Sequence, residues 1–151
     1  MENQRSPQSG TKNSAVDYNN LIQSDRIHGS LYTRQDIFDE EMQRMFYGNW
    51  VFIGHDSEIP KKGDYICRTI ASESLVMVRS DDEEVKVIVN RCAHRGNMIC
   101  VHPEGNAKFL KCLYHGWVYS LDGELLDVPG PGRFPKEKSD LPLQGLRTES
   151  Y

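Results

Sequence analysis

Two short segments carry the side chains best suited to chemistry, Cys92-Ala93-His94-Arg95-Gly96 and Cys112-Leu113-Tyr114-His115-Gly116-Trp117. Each holds one thiol and one imidazole, in the spacings C-x-H and C-x2-H, with seventeen residues between His94 and Cys112. Both side chains are transition-metal ligands, and two such pairs on adjacent loops can converge on one centre. A zinc ion held by two Cys and two His is the plain alternative, but such sites usually keep about two to four residues inside the Cys pair and about three to five inside the His pair. Here each half is mixed, which suits a two-iron, two-sulfide (2Fe-2S) cluster whose one iron takes both thiolates and whose other takes both imidazoles. Neutral imidazoles ease the uptake of an electron, raising potentials to roughly −150 to +300 mV, from about −400 mV for all-cysteine plant-type clusters. Gly96 and Gly116, close behind the two ligand pairs, let backbone N–H groups approach the sulfurs of a negatively charged cluster.

With Cys67 and Cys100 the cysteines number four. No export signal opens the chain, since Met1 to Gly10 is polar and lacks a charged start followed by an apolar core. Thiols in such a chain stay reduced, which favours ligation over disulfides. No run approaches the roughly 18 apolar residues needed to cross a bilayer, so the expectation is a soluble, cytoplasmic chain. Eighteen basic and 22 acidic residues leave a net charge of −4 with both signs scattered, which argues against a nucleic-acid or anionic-membrane surface. At 151 residues and 38% hydrophobic content, there is apolar material for one ordinary core plus tails.

The ligands need a scaffold, and the sequence predicts a mainly β one preceded by one short N-terminal helix. Residues 1–30 open on MENQRSPQSGTKNSAVDYNN, which has almost nothing apolar to offset its ordering entropy and reads as a disordered or extended tail. From Thr33 to Tyr47 the pattern is helical: Phe38, Met42, Met45 and Phe46 share a face, Thr33 with Asp36 resembles a capping box, and Gly48 is a stop. The helix is placed over about 34–47, with Asp36, Asp39, Glu40 and Glu41 as its solvated side rather than an iron site. Short β-branched and aromatic runs follow between turn formers, at Asn49 to Gly54, Tyr65 to Ile70, Leu75 to Arg79 and Val85 to Asn90, as in an antiparallel meander. Arg91 to Ala107 is the first ligand loop, Lys108 to Lys111 a short strand and Cys112 to Gly116 the second loop. Trp117 to Ser120 and Gly123 to Val128 flank a hairpin turn at Leu121-Asp122-Gly123. Residues 31–128 thus make the cluster domain, and residues 129–151, opening on PGPGRFPKEKSDLP, a linker and the start of another strand.

The motifs Cys92-x-His94-Arg95-Gly96 and Cys112-x2-His115-Gly116-Trp117 resemble the signature of the N-terminal Rieske domain in the large, alpha subunits of aromatic-ring-hydroxylating dioxygenases, the Rieske non-haem iron oxygenases. Phe46 to Asp64 (FYGNWVFIGHDSEIPKKGD) is similar to the family segment in which a Trp-led strand, a Gly-His pair and a Gly-Asp turn open that domain. The resemblance runs from about Leu31 to Tyr151. It implies antiparallel β-sheets with two cluster-binding loops. It also implies a 2Fe-2S cluster with Cys92 and Cys112 on the inner iron and His94 and His115 on the outer one through Nδ1. Arg95, Gly96 and Gly116 would surround these ligands and Trp117 would cover the cluster.

Further implications are a ferredoxin or reductase as electron donor, alpha subunits of the same type in a trimer, with or without a beta subunit, and a role in aromatic hydrocarbon breakdown. Electrons would leave by His115, past an aspartate of a neighbouring subunit, toward a mononuclear non-haem Fe(II) on a C-terminal domain. The 2-His-1-carboxylate triad that holds such an iron has no counterpart here, because His28, His55 and His102 lack paired spacing. The expectation is therefore the N-terminal part of a longer alpha subunit, with the triad beyond Tyr151. Standalone Rieske ferredoxins share the ligands, but Arg95-Gly96 and the helix ahead of Trp50 resemble the oxygenase subunit more; a structural zinc module is the third reading. Respiratory Rieske proteins carry an extra cysteine where Leu113 stands and a serine where Trp117 stands, so fewer hydrogen bonds to sulfur and the low-potential end are implied.

Four other residues receive plainer readings. Cys100, flanked by Ile99 and Val101, is a packing thiol without a partner in its loop. His102 lies at the surface near the site, His55 packs or hydrogen-bonds at a strand end, and His28 belongs to a flexible segment.

Overall fold

The computed structural model describes residues 16–130 and 137–151; the tail expected over residues 1–15 and the heart of the Pro/Gly segment, 131–136, lie outside the described residues. The chain divides into two compact units, Met1–Asn49 and Trp50–Tyr151. The helix thus groups with the residues before it, and the boundary falls after Asn49 rather than before Leu31.

In the first unit α1 spans Gln35–Glu41, and Met42–Phe46 continues it as a π-helical turn. The capping box on Thr33 does not form. Arg34 is the N-cap and its guanidinium pairs with Asp36, a first-turn carboxylate that also suits the helix dipole. The buried residue is Ile37, at 1% exposure, while Phe38, Met45 and Phe46 are exposed. A 3.6-residue period does not rank the adjacent Ile37 and Phe38, and the wider π turn rotates Met45 and Phe46 away from the face that regular winding would give them. The acidic residues serve the helix, Asp39 accepting from Gln35, and Glu40 from Tyr18 and Arg44.

Residues 16–30 are not simply extended. They hold 3-10 turns at Tyr18–Asn20 and, just beyond, Gly29–Tyr32, with an Ile22–Ile27 bridge between. Asp17 and His28 accept the N–H groups of Asn19 and Ser30, so local capping stands in for the apolar burial this segment lacks.

The second unit is built on two antiparallel sheets. β1 (Asp64–Ile70), β2 (Glu73–Arg79), β3 (Val85–Val89), β4 (Glu104–Asn106) and, at the end of the chain, Gly145–Leu146 form one, in the order β4-β1-β2-β3 with the last strand beside β3. β5 (Leu110–Lys111), β6 (Val118–Tyr119) and β7 (Leu125–Asp127) form the other, and Gly145–Leu146 is β8. Leu75 to Val78 are all buried because β2 is central and covered on both faces. The alternation of β2 and β3 then sorts two apolar clusters. Leu75, Met77, Val87 and Val89 join Ile59 and Ile66, while Val76, Val78 and Ile88 face Leu110, Tyr119, Leu121, Leu125 and the thiols of Cys92 and Cys112. Cys92 and Cys112 are thus rooted in the core where the two sheets meet.

Three sequence expectations change. Residues 50–54 form no strand: Trp50 and Phe52 are exposed, and only Ile53 packs against a core cluster. β4 lies inside the first ligand loop, where the exposed Glu104-Gly105-Asn106 carries no apolar signal yet pairs with β1. The stretch read as a linker returns to the domain, since Leu143 is 4% exposed and donates its N–H to the Gly123 carbonyl at 2.7 Å. Gln144 accepts the Val89 N–H at 2.8 Å, which starts the β3–β8 pairing. Among the described residues no helix is long and apolar enough to cross a membrane.

Candidate metal centre

Both ligand motifs fold into the same closed loop. Gly96 donates its N–H to the Cys92 carbonyl at 2.9 Å and Cys92 donates to the Asn97 carbonyl at 2.8 Å. Gly116 donates to the Cys112 carbonyl at 2.9 Å and Cys112 to the Trp117 carbonyl at 2.8 Å. The glycine is the fourth residue after the cysteine in each, with φ +73° at Gly96 and +75° at Gly116. That left-handed conformation costs an L side chain roughly 1–2 kcal/mol. At Gly116 a Cβ would also stand 3.0 Å from Pro129 Cγ, whereas the nearest atom at Gly96 is Arg91 Cδ at 3.6 Å. The glycines therefore shape the turns, their own N–H groups being used to close them. The N–H groups directed at sulfur are those of His94, toward Cys92, and of Tyr114 and His115, toward Cys112.

The four candidate ligands come together as two pairs. Cys92 and Cys112 are 2% and 1% exposed, with their thiols within hydrogen-bonding reach of each other. His94 and His115 set their Nδ1 atoms 3.1 Å apart, their rings edge to face with centroids at 4.5 Å. Among the described residues no three Cys, His, Asp or Glu side chains close on one point, as a lone tetrahedral ion requires. A donor set sorted into two sulfurs and two nitrogens fits a two-iron cluster.

The electrostatics follow from burial and from the loop amides. Burial raises the Cys92 thiol above its ordinary value, against the Tyr119 hydroxyl and the His94 N–H. Burial acts the same way on Cys112, but the Tyr114 and His115 N–H groups, the Cys92 thiol and the Asn97 amide outweigh it, and Cys112 is lowered. His94 is lowered by burial, then by His115 and Arg95, which favours the neutral ring that binds metal. Arg95 is itself exposed and reaches the site through its charge. Trp117, 3% exposed, stacks on His94 with centroids 4.8 Å apart and planes 7° apart. Tyr114 lies over His115 at 3.8 Å.

Several residues at the site were not singled out from the sequence. Tyr119, fully buried, puts its hydroxyl 3.2 Å from Cys92 Sγ and accepts the Ala93 N–H at 3.2 Å. The two-residue period of a strand, counted from Trp117, is the signal that points to it. Asn97 sets its amide nitrogen 3.9 Å from Cys112 Sγ, linking the two loops. Asn90 accepts the N–H groups of Ile99 and Cys100 at 3.0 and 2.9 Å, pinning the first loop to the end of β3. The remaining histidines have other work: His55 forms a capping box with Glu58, and His102 is exposed. Cys100 is buried as expected, but it has a neighbouring thiol in Cys67 of β1.

Two antiparallel sheets holding paired Cys/His loops define a Rieske-type protein, and the family described as the Rieske [2Fe-2S] domain matches residues 49–144. The chain belongs to that family. Benzene 1,2-dioxygenase subunit alpha from Pseudomonas putida is 41% identical over 104 residues, covering 69% of this chain and 23% of that subunit. The large oxygenase component of salicylate 5-hydroxylase from Ralstonia sp is 44% identical over 107 residues, covering 70% and 25%. The crystal structure of naphthalene 1,2-dioxygenase from Rhodococcus sp. superposes with a TM-score of 0.75 at 36% identity, over 78% of this chain and 28% of that one. The chain spans about a quarter of the length of the curated relatives it matches, in their N-terminal part.

Proposed function

We propose that this chain is the electron-relay part of an aromatic-ring-hydroxylating oxygenase alpha subunit, in which Cys92 and Cys112 hold one iron of a 2Fe-2S cluster and His94 and His115 hold the other. The supporting observation is the sorting of the donors, a buried thiol pair beside a half-buried imidazole pair, on two loops of one design. When bound, the cluster supplies storage for one electron. The thiolates anchor it, and the N–H groups of His94, Tyr114 and His115 offset their negative charge. His94 and His115 turn their Nδ1 atoms toward each other, so that with iron bound there each Nε2 keeps its proton on the far edge of its ring. Trp117 shields the His94 face from water. The electron donor is a ferredoxin or reductase, and the partners are further alpha subunits, with or without a beta subunit, in the cytoplasm. The acceptor is a mononuclear non-haem Fe(II) on the rest of the subunit, and the substrate is an aromatic compound.

Anaerobically purified protein should be coloured, with iron and acid-labile sulfide in equal amounts. Its reduced form should show magnetic coupling to two imidazole nitrogens, of which His115→Cys removes one. A colourless protein loaded with zinc would sink the assignment. The oxygenase reading has its own test: the coding sequence past Tyr151 should contain D-x2-H with a second histidine a few residues later, and its absence favours a Rieske ferredoxin.

A further inference from the structure

Cys67 and Cys100 have no part in the site described above. They are 33 positions apart, yet the structure laces their surroundings together. Cys67 donates its backbone N–H to the Pro103 carbonyl at 2.7 Å, and its Sγ lies 3.3 Å from the His102 carbonyl and 3.8 Å from the Cys100 carbonyl. Asn90 holds both residues: its amide nitrogen is 2.9 Å from the Cys100 carbonyl and 3.9 Å from Cys67 Sγ, and its oxygen accepts the Cys100 N–H. The two thiols are free and within hydrogen-bonding reach of each other.

We propose that Cys67 and Cys100 are a peroxide-responsive dithiol that closes into a disulfide and locks the first ligand loop onto β1.

The environments divide the labour. Cys67 is half-buried, and its thiol is held below the ordinary value by the Cys100 hydrogen bond, with burial opposing and Arg68 adding to the effect. Cys100 is 7% exposed, and its thiol is pushed up by the same hydrogen bond and by burial. An accessible sulfur with thiolate character beside a buried resolving sulfur is the arrangement that peroxide oxidation selects. The Cys67 thiolate attacks one oxygen of hydrogen peroxide, forming an S–O bond as the O–O bond breaks, and the departing hydroxide takes a proton to become water. The Cys100 sulfur then attacks the Cys67 sulfenic acid, the S–S bond forms as S–O breaks, and a second water carries off the Cys100 proton. Two thiols and one peroxide thus give one disulfide and two waters, with two electrons passing from sulfur to oxygen. Cys100 lies eight residues after Cys92, so the crosslink restrains the opening of the loop that carries Cys92 and His94.

The test treats the cluster-loaded protein with an equimolar amount of hydrogen peroxide, alkylates remaining thiols and maps peptides by mass spectrometry without reductant. The expected product is a Cys67–Cys100 linked peptide, two hydrogens lighter than the reduced pair, formed with the visible spectrum retained and reversed by a dithiol. Cys100→Ser should stop at a Cys67 sulfenic acid that dimedone traps, and Cys67→Ser should leave Cys100 unmodified. The oxidised protein should also lose colour to a chelator several-fold more slowly than the reduced one. An intact cluster with no linked peptide overturns the proposal, as does Cys100 oxidation in Cys67→Ser at the wild-type rate. Equal bleaching of the two forms overturns the locking role.

Discussion

Tyr119 offers the sharpest handle on how the fold sets the redox behaviour of its centre. Its hydroxyl oxygen accepts the Ala93 N–H and stands beside Cys92 Sγ, both contacts being 3.2 Å, and toward a thiolate at Cys92 the hydroxyl can only donate. Burial, then the Cys92 sulfur, raises the phenol above its ordinary range, so it stays protonated and donates. A hydrogen bond to a charged group is worth about 1.5–3 kcal/mol, and it strengthens as reduction adds negative charge to the centre. If about 1 kcal/mol of that is specific to the reduced state, the one-electron scale of about 59 mV per tenfold converts it to roughly 40 mV. Tyr119→Phe keeps the ring in the core and removes only the hydroxyl. The midpoint potential, measured by mediated titration of the visible spectrum, should therefore fall by roughly 40 mV. Unfolding should become easier by about 1–3 kcal/mol, because the Ala93 N–H loses its acceptor. A potential that stays put or rises while stability falls would refute the reasoning and leave Tyr119 as a loop staple alone.

Further expectations rest on single features of the second unit. Gly116→Ala should destabilise more than Gly96→Ala in urea titrations, because both positions have positive φ but only Gly116 would bring a Cβ to 3.0 Å from Pro129; roughly 1–2 kcal/mol is expected at Gly96 and more at Gly116, and equal losses would contradict the contact argument. Ala71 sits at φ +55° in the β1–β2 turn, so Ala71→Gly should raise stability by about 0.5–1 kcal/mol in thermal melts; a lower melting temperature would count against it. Asp82 is held down to about 2 by the Ser80 hydroxyl, then by the Glu84 N–H and Lys86. Since its folded value is below the unfolded one, its contribution is complete above about pH 4 and lost as pH falls toward about 2. The stability gap between wild type and Asp82→Asn should shrink across that window, and a gap independent of pH would exclude the mechanism.

The sequence disclosed the parts of this protein governed by short-range rules. Cys92, His94, Cys112 and His115 stood out as candidate ligands because ligand chemistry is confined to few residue types, and the fold brings them together. β1, β2 and β3 were visible because β-branched runs between turn formers have few other readings. What escaped depends on contacts between distant segments. The exposed β4 exists only because β1 offers it an edge, and the strand started near Leu143 was legible but its place beside β3 was not. The pairing of Cys67 with Cys100 needs β1 and the ligand loop to be laid side by side, which spacing does not foretell. On the helix the predicted face did not hold: Ile37 is buried while Phe38, Met45 and Phe46 are exposed, because packing chose between neighbours and the π turn of Met42–Phe46 broke the 3.6-residue period.

The two ligand loops share a turn and differ in one register. Glycine follows cysteine by four residues in both, and the same pair of backbone hydrogen bonds closes each, yet histidine stands two residues after Cys92 and three after Cys112. On one turn geometry, successive positions project in different directions, so the imidazoles meet with planes 71° apart instead of stacked. The offset also gives them unlike covers. His94 lies flat against the buried Trp117 and feels the Arg95 charge, while His115 lies under Tyr114, which is 60% exposed. A solvent-facing ring is a weaker barrier to a docking partner than a buried indole, so the thinner wall of the site is on the His115 side. The proposed relay calls for such an asymmetry at its exit: one imidazole against the buried Trp117, the other bordered by the exposed ring of Tyr114.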